Sequence, residues 1–135
     1  MKVVPGLPNT GGTLVLHLVG NLRGFIGATL GASGYTRDRD AEFTTRGVPR
    51  AALVGLVQDA KREVVAALRE VSNERLSARF PVAVGGRAMT TSLFLHHLLA
   101  PLGYHLGQID YHRRASTGDS TSAHTLPLAP LGDPE

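Results

Sequence analysis

The 135-residue sequence contains no cysteine and no tryptophan, and aromatic residues make up only 5% of it. Without cysteine there is no disulfide framework, no thiolate nucleophile and no cysteine-bound zinc, so any metal must be held by imidazole and carboxylate groups. The few aromatic residues form no stacking platform, and the formal net charge of +3 is mild and dispersed. Neither feature indicates a nucleic-acid partner.

Long apolar runs are absent as well. No stretch approaches the roughly 20 residues that a membrane span needs, and the start, MKVVPGLPNTGG, lacks the apolar core and cleavage site of a signal peptide. We therefore expect a cytoplasmic protein with no membrane partner. We also expect one small domain over residues 1–114 and a flexible tail, rich in Ser, Thr, Pro and Gly, over residues 115–135.

Apolar residues recur at helical spacing in three long segments, which predicts an all-α fold. The first predicted helix covers residues 13–30, the second 49–71, and the third runs from a cap at Thr90 or Thr91 to about Arg114. The third is apolar nearly all round, which predicts a helix buried inside a bundle. Residues 31–49 form a long connection, and residues 72–89 a small hairpin or irregular loop.

Three glycines, Gly20, Gly24 and Gly27, thin one side of the first helix. Each costs about 0.5–1 kcal/mol relative to alanine inside a helix, so something should pack closely there. Another helix backbone is the expected neighbour, and ligand access is the alternative. The same side is a candidate dimer surface.

The long connection carries an alternating charge pattern, Arg37, Asp38, Arg39 and Asp40. These side chains can pair with one another on a solvated surface, which is the interpretation we favour. The alternative is a loop folded over the mouth of a site, with arginine available to bind an anionic substrate.

Four of the six histidines lie on the third helix. Three of them, His97, His105 and His112, share a stripe with Gln108, because their separations are close to whole helical turns. Unpaired polar groups in a core are costly, so buried imidazoles must be either hydrogen-bonded or used as ligands.

Three stretches resemble the DinB-like family of helical-bundle proteins: LHLVGNLRGFI at 16–26, TRDRDAEF at 36–43 and HHLLAPLGYHLGQIDYHRR at 96–114. The resemblance implies a four-helix bundle, usually dimeric, with a bound divalent metal such as Zn, Ni or Mn. In the family a further helix precedes the position of residues 5–9, so three long helices are evident here and the first is missing. Either the sequence begins late or another subunit fills the gap, and we expect a homodimer.

The resemblance also implies a three-histidine metal site. His17 and His105 match two of the ligands, and the third position falls on Pro101, which has no ligand atom. His112 lies about 10.5 Å beyond His105 along the helix and is one substitute. The others are His97 and a carboxylate from the long connection, Glu42 or Asp40.

Further residues are assigned around this site. Gln108 and Asn21 are expected to orient ligands or substrate, while Arg23 or Arg37 is expected to meet an anionic group. By resemblance the protein is a metal-dependent thiol S-transferase or hydrolase. With no cysteine in the chain, the low-molecular-weight thiol must be a cosubstrate.

Two other functions stay open. One is a non-catalytic helical module that has lost the metal, in which the histidines and Gln108 form a buried polar network. The other is a binding protein for a small hydrophobic molecule in the bundle cleft.

Overall fold

The computed structural model describes residues 2–124, and the fold is all-α, as the sequence predicts. Among residues 2–124 there is no β-strand, and the β-structure is limited to two isolated bridges. The predicted tail beyond residue 124 lies outside the described residues. The helices are α1 (Gly11–Leu22), α2 (Arg39–Thr44), α3 (Arg50–Arg69), α4 (Asn73–Ser77) and α5 (Thr91–Thr117).

Side-chain caps set the starts of the helices. The hydroxyl of Thr10 accepts a hydrogen bond from the backbone N–H of Thr13, so α1 begins two residues before the predicted start. The hydroxyl of Thr90 caps α5 in the same way. That helix continues beyond Arg114 and stops where Gly118 adopts a φ of +74°, a left-handed conformation that favours glycine.

The first predicted helix is continuous but not uniform. After α1 the chain continues as a π-helical segment, Arg23–Ala28, in which the backbone N–H of Thr29 reaches back to the carbonyl of Gly24. Such segments are rare and are frequent at functional sites. The change of pitch re-aims the residues that follow, including Ile26 and Leu30 in the core.

Helix α1 with its π-helical extension is the centre of the fold. Helices α2, α3 and α5 each pack against it, whereas the backbones of α3 and α5 do not approach each other closely. The apolar core lies where the extension meets α5 and the segment before it. Its largest members are Phe80 and Phe94, each 1% exposed, with ring centroids 4.2 Å apart.

Helix α5 is not buried all round, and the prediction that it would be is wrong for this chain. Its outer side exposes Leu93, Tyr104 and Tyr111, the last at 72%. The reason is that neighbouring elements cover only the side that contains Phe94 and Leu98. Within residues 2–124 no helix combines the length and the apolar character that crossing a membrane requires.

Candidate functional site: a buried histidine–glutamate–arginine network

A buried carboxylate links α1 to the long connection. Glu42 on α2 is only 5% exposed and accepts hydrogen bonds from Arg37 Nε at 2.7 Å and Arg37 Nη2 at 2.9 Å. His17 Nδ1 on α1 lies 2.9 Å from Glu42 Oε2. A buried charge is tolerated only when it is paired and hydrogen-bonded, and Glu42 meets both conditions. We call His17, Arg37 and Glu42 the buried network.

Glycines on α1 make room for this network. A Cβ atom at Gly20 would stand 2.0 Å from Glu42 Oε1, and one at Gly24 would stand 3.1 Å from Arg37 Cδ. At Gly27 the neighbour is Glu63 of α3, with Oε2 3.0 Å from the Cβ position. Side-chain atoms are therefore nearest to all three glycines, although α2 and α3 do pack against α1 and its extension, as expected of neighbouring helices. Charged side chains of the same chain lie over these three glycines.

The connection between α1 and α3 folds over His17. The carboxylate of Asp38 caps α2 by accepting a hydrogen bond of 2.9 Å from the N–H of Ala41. The cap starts helix α2, which carries Glu42. Arg37, immediately before the cap, donates two hydrogen bonds to the Glu42 carboxylate. The favoured interpretation, in which the alternating charges pair with one another at the surface, is wrong for Arg37. As in the alternative interpretation, the connection folds over His17. Its Arg37, however, is hydrogen-bonded to Glu42, so the guanidinium is not available to an anionic substrate.

His17 faces a second histidine, His105 of α5. The two ring centroids lie 5.0 Å apart and the rings are perpendicular. His105 Nδ1 is 2.7 Å from the amide oxygen of Gln108. A carboxylate and an amide oxygen can only accept, so both Nδ1 atoms must be donors. In the neutral rings the lone pairs are then on the Nε2 atoms.

Aromatic side chains flank the histidine pair. The ring of Phe43 on α2 lies 4.8 Å from the ring of His17, and Tyr104 lies 5.3 Å from that of His105. The guanidinium of Arg39 stands over the Phe43 ring at 5.3 Å. Phe43 thus covers the His17 side of the pair, whereas Tyr104 on the other side is 65% exposed.

Arg23, a predicted substrate-binding residue, is paired with Glu63 of α3. Its Nε lies 3.0 Å from one carboxylate oxygen and its Nη2 lies 2.5 Å from the other, while the guanidinium stacks over Tyr35 at 4.3 Å. The hydrogen bonds from Arg23 hold the pKa of Glu63 below its usual range. Both predicted anion-binding arginines are therefore neutralised within the chain.

The remaining histidines of α5 lie elsewhere. His112 is 6% exposed and packs against Gly11, and its Nε2 has no hydrogen-bond partner in the described part of the chain. His97 is exposed beside Phe94. Across residues 2–124 no three His, Asp or Glu side chains form a group that could hold a metal ion. The structure therefore does not bring His112 to His17 and His105.

Asn21, expected to orient a ligand, is partly buried one turn after His17. The residue that orients His17 is instead Glu42, which the sequence suggested only as one of four possible substitute metal ligands. A sequence signal for this pairing exists, since Gly20 makes space one turn beyond His17. That signal does not say which side chain fills the space.

The Arg23–Glu63 pair gives a pH-dependent prediction. Because the pKa of Glu63 is lowered in the folded state, the pair stabilises the protein above the carboxyl's unfolded pKa, and this is lost as pH falls through the folded pKa. We expect Glu63→Gln to lower the free energy of unfolding by about 1–2 kcal/mol at neutral pH. In urea titrations the difference from the unsubstituted protein should shrink on acidification. Exposed Glu70→Gln is the control. An effect equal to that of the control, or one that grows on acidification, contradicts the assignment.

The fold and the site define a class: an all-α protein in which a central helix carries a histidine oriented by a buried carboxylate and facing a second histidine. The chain belongs to the family described as "Protein of unknown function (DUF1572)", whose model matches residues 7–128. Comparisons with curated proteins and with solved structures gave no significant match.

Proposed function

We propose that this chain is a DinB-like protein and that it binds a divalent transition-metal ion through Nε2 of His17 and Nε2 of His105. The observation that carries the proposal is that both Nδ1 atoms are already occupied by fixed acceptors, Glu42 and Gln108. Metal-binding histidines usually donate their other ring N–H to a carboxylate or carbonyl in this manner.

The spacing of the rings supports the same reading. Two imidazoles bound to one tetrahedral ion at about 2.0–2.1 Å hold their ring centres roughly 5 Å apart. The centroids of His17 and His105 are 5.0 Å apart. An edge-to-face contact of two rings gives a similar distance, so the spacing supports the proposal only together with the hydrogen bonds.

The chain supplies two ligands to the ion in this proposal, His17 and His105. Pro101 has no donor atom, and both oxygens of Glu42 are engaged by Arg37. The other positions fall to water or substrate, which predicts a weaker site than three histidines give. A bound divalent ion lowers the pKa of a coordinated water or thiol and so supplies a nucleophile at neutral pH.

The residues of the chain would contribute orientation and shielding. Glu42 fixes the tautomer and the angle of His17, and Gln108 does the same for His105. Phe43 limits the approach of water on the His17 side. A transferase or hydrolase acting with a low-molecular-weight thiol or a water fits this arrangement, and the thiol is a cosubstrate because the chain has no cysteine.

Titration of tag-free protein with Zn²⁺ or Ni²⁺, followed by calorimetry, tests the proposal. We expect one ion per chain, with binding weakened tenfold or more, about 1.4 kcal/mol, in His17→Ala and in His105→Ala. Exposed His96→Ala on the same helix is the matched control. Binding that survives both site substitutions, or that His96→Ala weakens equally, contradicts the proposal.

A second candidate is the non-catalytic module. It is favoured by the satisfied hydrogen bonds of the buried network and of His105, and by the lack of a third ligand in the described residues. In that case His17, Glu42 and Arg37 fix the packing of the connection on α1. The same titration separates the two candidates, because the module takes up no ion and is as stable with chelator as without it.

A further inference from the structure

An apolar groove crosses the molecule on the side away from the buried network. It lies between α3 and α5, which flank α1 and whose backbones stay apart. The groove consists of two adjoining cavities of about 260 and 310 Å³, and Leu22, Val64 and Leu102 line both of them. Among residues 2–124, Lys61 and His96 are the only residues lining these cavities that have an ionisable side chain. We call this the α3–α5 groove.

Large apolar side chains of the groove are left in solvent. Leu99 is 62% exposed, Leu106 53% and Leu68 41%. Fully burying such a side chain contributes about 1.5–3 kcal/mol. A contiguous apolar surface of this kind marks a place where another segment or molecule binds.

The chain after α5 heads toward this groove. Gly118 reverses its direction, and Arg113 then binds the carboxylate of Asp119 at 2.8 Å and the carbonyl of Thr121. One turn further back along α5, Asp110 accepts a hydrogen bond of 3.3 Å from the N–H of Ala123.

The last described residue continues the same direction. His124 shares a cavity with Leu106, and Leu106 also lines the α3–α5 groove. Thr121 and Ala123 thus contact positions 113 and 110 of α5 in turn, so the chain runs antiparallel to the helix, toward the part of the groove that Leu106 lines.

We propose that residues 125–131, with the sequence TLPLAPL, occupy the α3–α5 groove of their own chain. The segment has three leucines and no charged residue. Pro127 and Pro130 have no backbone N–H, so fewer donors need partners in a groove that offers few acceptors.

The length of the segment is sufficient. Seven extended residues span up to about 23–25 Å, whereas the groove wall from Leu106 back to Leu95 measures about 16 Å along α5. Four residues beyond His124, an extended chain has advanced about 13 Å, which corresponds to roughly nine residues of helix. This places Leu128 near Leu99. The inference does not depend on the proposed metal site.

Engineered cysteines test the proposal cleanly, because the natural chain has none. The full chain carrying Leu128→Cys with Leu99→Cys is oxidised at low protein concentration and digested for mass spectrometry. The matched control pairs Leu128→Cys with Leu93→Cys, since Leu93 is similarly exposed, at 59%, on the opposite side of α5.

We expect an intramolecular disulfide with Leu99→Cys that forms roughly tenfold faster than with Leu93→Cys, because docking raises the effective concentration. Equal rates for the two pairs overturn the proposal, and so do disulfides that join only separate chains, which indicate that a second copy fills the groove.

Leu128→Ser gives an independent readout: binding of an apolar fluorescent dye should rise roughly threefold as the groove opens. Pro134→Ser should leave dye binding unchanged, and an unchanged signal in Leu128→Ser contradicts docking.

Discussion

Gly20→Ala is expected to lower the free energy of unfolding by about 3 kcal/mol or more. The added Cβ would stand 2.0 Å from Glu42 Oε1 and 2.7 Å from Glu42 Cδ. Gly20 itself is buried, and the Glu42 carboxylate is hydrogen-bonded to both His17 and Arg37. The carboxylate must therefore leave its partners, and the buried network breaks as a unit.

The direction of this effect is unusual for the substitution. Inside a helix, glycine to alanine normally stabilises by about 0.5–1 kcal/mol. Gly55 in α3 is the matched control, because nothing lies within 4 Å of its Cβ position. Urea titrations should give opposite signs for Gly20→Ala and Gly55→Ala. If both variants gain stability, the close approach of Glu42 to α1 is wrong.

Glu42→Ala is expected to cost about 3–5 kcal/mol, the loss typical of removing one partner from a buried ion pair. Arg37, whose side chain is 19% exposed, and His17, whose side chain is 12% exposed, would be left without their acceptor. Asp40→Ala, on the exposed side of the same short helix, should cost less than about 1 kcal/mol. Thermal and urea denaturation of the two variants measure the contrast.

A double-mutant cycle with Arg37→Ala separates coupling from helix propensity. Because the two side chains act together, the double variant should lose clearly less stability than the two single losses added. Additive losses, or equal effects of Glu42→Ala and Asp40→Ala, contradict the network.

In the metal titration, Glu42→Gln should weaken binding by about 10–100-fold, as is usual when the residue that orients a histidine ligand is lost.

The helices could be predicted from the sequence because their signals are local. Apolar spacing locates α1, α3 and α5, and Thr90 marks the start of α5 within one residue. The burial of α5 could not be predicted, since an apolar surface does not reveal whether the chain contains the element that covers it. Leu99 and Tyr104 are apolar or aromatic and yet exposed for this reason.

The candidate site was predictable only in part. His17 and His105 were selected by resemblance, and Gln108 by its place one turn beyond His105. The role of Glu42 depends on a contact between residues 25 positions apart, which no periodicity contains. The position of Arg37 could not be predicted for a related reason. Alternating charges are equally compatible with pairing at the surface, and it is the space left by Gly20 and Gly24 that lets this arginine pack against α1.

The central claim is that Glu42 and Gln108 accept the Nδ1 protons of His17 and His105, so that in the neutral rings the lone pairs are on the Nε2 atoms. Two-dimensional ¹H–¹⁵N NMR of the neutral imidazoles, assigned with His17→Ala and His105→Ala, reads the tautomer of each ring directly. The account predicts the Nδ1–H form for both rings, and conversion of His17 to the other form in Glu42→Ala. An Nε2–H tautomer on either ring of the unsubstituted protein would contradict it.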